Sequence, residues 1–564
     1  MSRPDIKKFT LQNVWRVITK LYTTLPVLSY VDETPLSYND LKDKVEALSA
    51  FFQQKGIKPG DKVALLAENG PEWGVCYFAI NNIGAIIVPI MTEFSKIDVT
   101  NILTHSESSA IAVSSRLKSK VDTGALAKDF QVFSTESFFD LPVPESLDVP
   151  EIEEDDTACI IYTSGTTGKS KGVMLSNKNI AWNAWMGLDV PKYNEKQIMV
   201  SLLPMAHTYE CSLGFLLPIL GGGQVFYLKR PPSASILLPA LKKVRPHMLL
   251  SVPLLIEKIY RQNILPKFKK SKLLSKLHSI PFFRKILNRI AGKQMKKLFG
   301  GRMHFFGIGG AGLDPEVELF LREAKFPYCI GYGLTETSPL IAGSNPQNVQ
   351  YKGVGPLVPG VEVVIDDPNE EGVGEIVVRG PSIMQGYYKE PEMTREVLSE
   401  DGWFRTGDLG LIDKKKHLFI KGRLKNVILG PSGENIYPEA IEALINNMDF
   451  VEESLVYEEE DKSIVARIHL DYDSISKYFE GLASSASHLA ESASHIPKDI
   501  GGYLHHVQEE INKQVAKFSR INKVIEQKEP FEKTPKKSIR RFLYTQYKKI
   551  TGSGDGGSKK DNNK

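Results

Sequence analysis

Apolar and polar positions along the first part of the chain fall into blocks that predict helices and strands in turn. Leu36-Ser37-Tyr38-Asn39-Asp40-Leu41 opens a helical spacing that runs through Phe52. Gly56 and Pro59-Gly60-Asp61 break it, and Lys62-Val63-Ala64-Leu65-Leu66 is a short apolar run of strand type. A second helix is expected from Pro71 toward Ile83, then a strand over Gly84–Pro89. Strand–helix–strand order predicts a parallel sheet covered by helices. The alternation returns over Ile198–Leu228 and Val244–Val252, and Phe305-Phe306-Gly307-Ile308 runs into a glycine loop. After Lys425 a smaller pattern begins. Gly433–Glu442 reads as a loop capping a helix, with short strands around Ser454–Tyr457 and Ile464–Leu470. The expected fold is α/β: a large N-terminal unit of several subdomains with parallel-rich sheets (1–424), and a small α+β unit (425–550). Ala483–Ser494 reads as an exposed helix or loose insertion, and the polar tail Thr551–Lys564 is expected to be disordered.

A chain of 564 residues is too long for one domain, and about three to five units are expected. With 42% hydrophobic and 24% charged residues the composition is globular, with ample apolar material for cores. Cys76, Cys159, Cys211 and Cys329 lie far apart without a C-x-x-C pair, which argues against a zinc site or a disulfide framework. Reduced thiols in a cytoplasmic protein are the expectation. Met1–Lys20 lacks the apolar core of a signal peptide, and no uncharged apolar run reaches the ~18 residues of a spanning helix.

The net charge of +4 says little about partners, but its distribution says more. From Lys258 to Leu313 there is no Asp or Glu, and Lys267–Arg302 carries twelve Lys or Arg interleaved with Phe, Leu and Ile. A basic amphipathic stretch suits peripheral binding to an anionic membrane surface. The alternative is a solvated helix whose apolar stripe packs on its own domain. No reader motif accompanies the charge, so nucleic acid is not an expected partner.

The chemistry concentrates at Tyr162-Thr163-Ser164-Gly165-Thr166-Thr167-Gly168-Lys169-Ser170-Lys171-Gly172, directly after the apolar strand Ala158-Cys159-Ile160-Ile161. Glycines turn backbone N–H groups toward an anion, hydroxyls add donors and lysines add charge, a combination suited to a polyphosphate. A Walker A loop is excluded by spacing, because its first glycine would stand at Thr163. Further along come His207 in Leu203–Glu210, the glycine run Gly309-Gly310-Ala311-Gly312, and Gly331-Tyr332-Gly333-Leu334-Thr335-Glu336-Thr337. Asp408 follows a Gly turn, and Arg423 precedes Lys425 in a Gly-Arg-x-Lys turn. Tyr332 offers an aromatic face, Glu336 a hard oxygen ligand, and Asp408 a hydrogen-bond acceptor. His207 is open to a plainer reading, a satisfied histidine at a helix start.

YTSGTTGKSKGV resembles the phosphate-binding signature of the AMP-forming (adenylate-forming) ligase superfamily. Five motifs occur in that family's order over roughly residues 10 to 545. The basic insertion after Arg261, FGGRMHFFGIGGAGL and GYGLTETSP most resemble the long-chain fatty acid–CoA ligase branch. The resemblance implies ATP-dependent conversion of a fatty acid to acyl-AMP, then thioester formation with coenzyme A. It implies ATP or AMP contacts at Thr163, Ser164, Gly165, Thr166, Thr167, Gly168, Lys169, Gly310, Ala311, Gly331, Tyr332, Gly333, Leu334, Thr335, Asp408 and Arg423. Mg²⁺ would sit at Thr163 and Glu336, His207 would line the acyl pocket, and Lys425 would be a hinge. One position departs. The family's last signature, of the form T-P-x-x-K-I, ends in an adenylation lysine, and here Ser538 stands in its place with Lys537 beside it. An acyl-AMP or carrier-protein ligase that does not use CoA, and a catalytically impaired nucleotide- or lipid-binding member, stay open as alternatives.

Overall fold

The computed structural model describes residues 5–164, 170–430, 434–476, 499–534 and 538–545. Backbone proximity divides them into two compact units. The first holds the described residues up to Thr163, with Ser170–Thr406 and Gly410–Ile420; the second holds Ser164, Gly407–Leu409 and the described residues from Lys421 onward. The expectations for 483–494, 551–564 and much of the phosphate loop lie outside the described residues.

Two large sheets organise the first unit. In one, the spatial order is Leu340–Gly343, Tyr328–Gly333, Phe305–Ile308, Met248–Ser251, Ile198–Val200, Gln224–Tyr227, Pro26–Tyr30, Leu36–Ser37. Its ladders are parallel from Tyr328 through Pro26, and its two outer strands are antiparallel. In the other, the order is Gly386–Tyr387, Ser170–Ser176, Thr157–Ser164, Ile86–Pro89, Lys62–Leu66, Ala110–Val113, Gln131–Ser134. Val63 to Leu66 and Ala110 to Val113 are buried throughout, as unbroken apolar runs in a sheet covered on both faces must be. A five-stranded sheet carries Phe404–Ile412 and His417–Arg423.

The helix expected from Leu36 begins at Tyr38 and ends at Gln54. Ser37 Oγ accepts from the Asp40 N–H and the Asp40 carboxylate accepts from the Ser37 N–H, a reciprocal cap that leaves Leu36–Ser37 extended. Tyr38, Leu41, Val45, Leu48 and Phe52 form its buried stripe. In the second unit the strands Val451–Glu458, Ile464–Leu470 and Lys523–Glu526 form one sheet, with the helices Pro438–Ile445 and Ile500–Gln514 sharing its core through Ile441, Ile445, Val456, Ile468, Val507 and Ile511.

The basic stretch folds into the helices Leu265–Lys269, Lys272–His278 and Pro281–Leu298. Its long helix buries Asn288, Gly292 and Met295, while Phe282, Phe283, Ile286 and Ile290 are exposed. The inward-packing alternative holds in part: Leu287, Ala291 and Met295 pack into the core that holds Phe299 and Phe320, while a second apolar row stays outside. Two polar contacts hold the opposite face down: Arg284 grips Glu323 through paired bonds of 3.0 and 2.9 Å, and Asn288 donates to Glu323 at 2.8 Å. Gly292 fits because a Cβ there would lie 2.6 Å from the Ala324 carbonyl oxygen. No helix among the described residues is long and apolar enough to cross a membrane, and all four cysteines are buried and free.

Candidate active site

The strand Thr157–Ser164 delivers the phosphate-type loop and its sheet neighbour Ser170–Ser176 receives it. Thr163 is buried, and among the described residues its hydroxyl has no hydrogen-bond partner. Gly165, Thr166, Thr167, Gly168 and Lys169 lie outside the described residues. Lys171, just past them, has its Nζ 3.2 Å from Glu336 Oε1 and donates to the Tyr387 hydroxyl at 2.5 Å. The ammonium also sits 3.9 Å from the centroid of the Tyr387 ring. Tyr387 in turn donates to Glu336 Oε1 at 3.0 Å. Burial first, and Glu336 second, push the Tyr387 hydroxyl well above its ordinary value, so it remains a donor at neutral pH.

Glu336 is held by its backbone. The Met384 N–H donates to its carbonyl at 2.9 Å, and the Leu334 N–H donates to Thr337 Oγ1 at 3.0 Å. Asn183 donates to the Leu340 carbonyl at 2.9 Å and Ser338 to the Ser382 carbonyl at 2.9 Å, fastening the turn that follows. Gly333 has no alternative: a Cβ there would lie 1.7 Å from the Pro339 carbonyl oxygen. Gly331, Tyr332 and Gly333 belong to the strand Tyr328–Gly333, and Thr335 and Glu336 to the single turn after it. Gly310 and Ala311 lie exposed in the loop after Phe305–Ile308, with Gly310 at φ +86°.

His207 is half-buried at the entry to a wide helical segment, Glu210–Leu216. The Tyr209 N–H donates to His207 Nδ1 at 3.2 Å, which leaves the proton of the neutral ring on Nε2. The Tyr209 ring lies against Gly309, where a Cβ would stand 3.1 Å from its Cζ, and Ser212 donates to the Ser338 carbonyl at 2.9 Å. The His207 segment is thus tied to both glycine-rich segments.

A polar network sets the path of this segment. Ser201 donates to Glu210 at 2.6 Å, Asn69 donates to Ser201 at 3.0 Å and to the Leu203 carbonyl at 2.6 Å, and the Met205 N–H donates to Asn69 at 2.9 Å. Glu210 is buried, and among the described residues its second oxygen has no partner at hydrogen-bond geometry. Burial pushes its carboxyl from 4.5 up to about 8, against the Ser201 bond and the Leu202 and Leu203 N–H groups, which favour the anion. The native state therefore binds more protons than the unfolded chain between these values, and its stability falls as pH rises through that window. Glu210→Gln is expected to flatten this dependence, gaining on the wild type by up to ~1.4 kcal/mol per pH unit toward pH 8. Denaturant melts of both proteins across that range check it, and parallel curves would refute it.

In the second unit, Arg423 Nε lies 2.8 Å from Asp408 Oδ1, Asp408 being buried and the Arg423 side chain about half exposed, at 54%. Gly407 supplies φ +69° within the strand that presents Asp408. Lys425 lies in the single turn Leu424–Asn426, where Asn426 donates to Glu439 at 2.6 Å. Ser538 is exposed; its carbonyl accepts from the Thr534 N–H at 2.8 Å and its N–H donates to Thr534 Oγ1 at 3.3 Å. Lys537 lies outside the described residues.

Tyr387, Asn69, Ser201 and Glu210 escape sequence reasoning as site residues. Tyr387 stands 216 positions from Lys171, with no spacing to connect them. Glu210 did leave a signal, as a lone acid ahead of an apolar run.

Residues 20–388 match the AMP-binding enzyme family. The chain is 29% identical over 454 residues to the long-chain fatty acid–CoA ligase ACSBG2 of Gallus gallus, covering 72% of this chain and 60% of that one. It is 30% identical over 493 residues to the peroxisomal long chain acyl-CoA synthetase 6 of Arabidopsis thaliana, covering 78% and 69%. The chain thus spans about three fifths of the length of the first relative. Among solved structures, the ATP-bound RpMatB-BxBclM chimera B3 superposes with a TM-score of 0.75 at 23% identity, covering 95% of this chain and 99% of that one. The o-succinylbenzoate CoA synthetase MenE of Bacillus subtilis with its acyl-adenylate also gives 0.75, at 21% identity and 95% and 98% coverage. At these identities the likeness establishes the fold.

Proposed function

This chain belongs to the AMP-binding enzyme family, and we propose on that premise that it is a long-chain fatty acid–CoA ligase. A fatty carboxylate attacks the α-phosphorus of ATP, forming acyl-AMP and releasing pyrophosphate. The coenzyme A thiolate then attacks the acyl carbon and AMP leaves. The observation that carries the reading is the meeting of Lys171, Tyr387 and Glu336 directly past the phosphate-type loop. Such chemistry needs charge neutralisation and positioning more than a covalent residue.

The assigned roles follow. Thr163, Ser164 and residues 165–169 cradle the polyphosphate, with Lys171 as a nearby cation. Tyr332 offers its ring to adenine along the backbone of Gly310, Ala311 and Gly331–Thr335. Asp408 accepts from the ribose hydroxyls and Arg423 braces it. His207 lines the acyl pocket, and Lys537 serves the α-phosphate. The Thr163 hydroxyl, without a hydrogen-bond partner among the described residues, and the Glu336 carboxylate are hard oxygen donors that fit Mg²⁺, which would supply phosphate charge neutralisation when bound. The Lys267–Arg302 stretch is proposed to rest on the cytoplasmic face of an anionic membrane.

The test mixes protein, ATP, Mg²⁺ and a long-chain fatty acid. Pyrophosphate release that requires the acid, and acyl-CoA once CoA is added, are expected. Acyl-AMP that only a carrier protein discharges would overturn the CoA assignment, and absence of pyrophosphate would overturn the enzyme.

Lys425 is proposed as the hinge on which the second unit turns between the half-reactions. Lys425→Pro fixes φ there. It should leave acyl-AMP formation near wild type and cut thioester formation from supplied acyl-AMP at least tenfold. Equal loss of both half-reactions, or of neither, would refute the hinge.

A further inference from the structure

The helix Pro281–Leu298 packs Leu287, Ala291 and Met295 inward and leaves a second apolar row outward. Phe282 is 68% exposed, Phe283 41%, Ile286 42% and Ile290 53%, and just before them Leu273 is 67% and Ile280 42% exposed. Phe282, Ile286 and Ile290 follow at i, i+4 spacing and so form one row along the helix. Lys285, Arg289 and Lys293 form a second, exposed row beside it at the same spacing. The Phe282 and Phe283 rings pack edge to face with centroids 5.4 Å apart, closing the end of the ridge. The helix cannot roll to hide this ridge without breaking the Arg284–Glu323–Asn288 cluster on its opposite side.

An exposed apolar ridge of this size marks an interaction surface. Its charge decides the partner: the long helix alone carries six cations, on a segment without one acid between Lys258 and Leu313. We propose that this ridge is a membrane-insertion element, with Phe282, Phe283, Ile286 and Ile290 entering the acyl boundary of an anionic bilayer while Lys285, Arg289 and Lys293 meet the lipid phosphates. The row geometry is that of an interfacial amphipathic helix. It goes further than adsorption of a basic stretch, since the apolar row adds a salt-resistant contribution to the salt-sensitive one. Only the consequence for turnover rests on the proposed function: a long-chain acid partitions into the same bilayer, so the ridge would draw the enzyme to its substrate.

The experiment uses the full chain with phosphatidylcholine vesicles, with and without phosphatidylglycerol. Wild type should float with the anionic vesicles only, and less at high salt. Phe282→Trp should show blue-shifted emission there, quenched by doxyl-labelled lipid. Ile286→Glu with Ile290→Glu should lower the partition coefficient at least tenfold, as expected for apolar side chains leaving an apolar boundary. Both residues are exposed, and an unchanged melting temperature confirms folding. Unquenched Trp emission with binding retained would reduce the surface to electrostatic adsorption and overturn insertion. Equal flotation of wild type and double variant would overturn it too, as would a ridge-dependent dimer without vesicle binding. Flotation with quenching but no acyl-CoA formed would leave the insertion element standing and remove the ligase.

Discussion

Glu336→Ala is expected to lower pyrophosphate release from ATP, Mg²⁺ and a fatty acid by about 10²–10³ or more while the protein stays folded. Its carboxylate is buried at 8% exposure, bonded by Tyr387 at 3.0 Å and faced by Lys171 at 3.2 Å. It is the hard oxygen proposed for Mg²⁺, so losing it removes a metal ligand and the anchor of Lys171 together. Lys171 keeps its bond to the Tyr387 hydroxyl and is 26% exposed, so the orphaned cation has a partner and some solvent. Glu336→Gln separates the two contributions. It retains an acceptor for Tyr387 and loses the charge; if charge is what matters, it should fail nearly as badly as Ala. Near-wild-type pyrophosphate release from either folded variant, measured at saturating Mg²⁺, would remove Glu336 from the mechanism.

The second large effect concerns the departure at Ser538. A cation near the α-phosphate neutralises charge that grows during transfer, and deleting such a group costs roughly 3–4 kcal/mol, about 10²–10³ in rate. A serine hydroxyl cannot carry that charge. Lys537 is the adjacent cation, and its long stem tolerates a small shift of position. Lys537→Ala is expected to lose most acyl-AMP formation yet still convert supplied acyl-AMP and CoA to thioester. Ser538→Lys is expected to be harmless or to speed the first step. Ser538 is exposed, and only its backbone bonds to Thr534, so the new side chain enters without a packing cost. Assays of the two half-reactions decide the matter. Unchanged adenylation in Lys537→Ala, with at least a tenfold gain in Ser538→Lys, would mean that no substitute exists.

Much of the fold is legible in the chain. The helix over Pro71–Asn82, the strand Lys62–Leu66, and the second unit's strands follow from apolar spacing and from Gly and Pro breaks. The helix start at Tyr38 was displaced from Leu36 because a cap is a reciprocal hydrogen bond, which weighs more than apolar spacing at a helix end. The long basic helix was legible as a helix, but not its face. Its buried side combines Leu287, Ala291 and Met295 with a bidentate Arg284–Glu323 bond and a glycine contact with Ala324, and neither Glu323 nor Ala324 lies within the helix.

The candidate site divides in the same way. The sequence by itself determined which residue types surround the chemistry: the Gly/Ser/Thr/Lys loop, Glu336 after its glycines, and Asp408 ahead of Arg423. Turn-forming and phosphate-binding chemistry are local, so the motifs carry them. Only the tertiary structure decided that Lys171 meets Glu336 with Tyr387 bonded to both, and that Asn69, Ser201 and Glu210 steer the His207 segment. Those meetings join strands and turns far apart in the chain, such as Tyr387 and Lys171 at a separation of 216 residues. Side-chain encounters of that kind are set by sheet order and packing, which no local pattern of residues records.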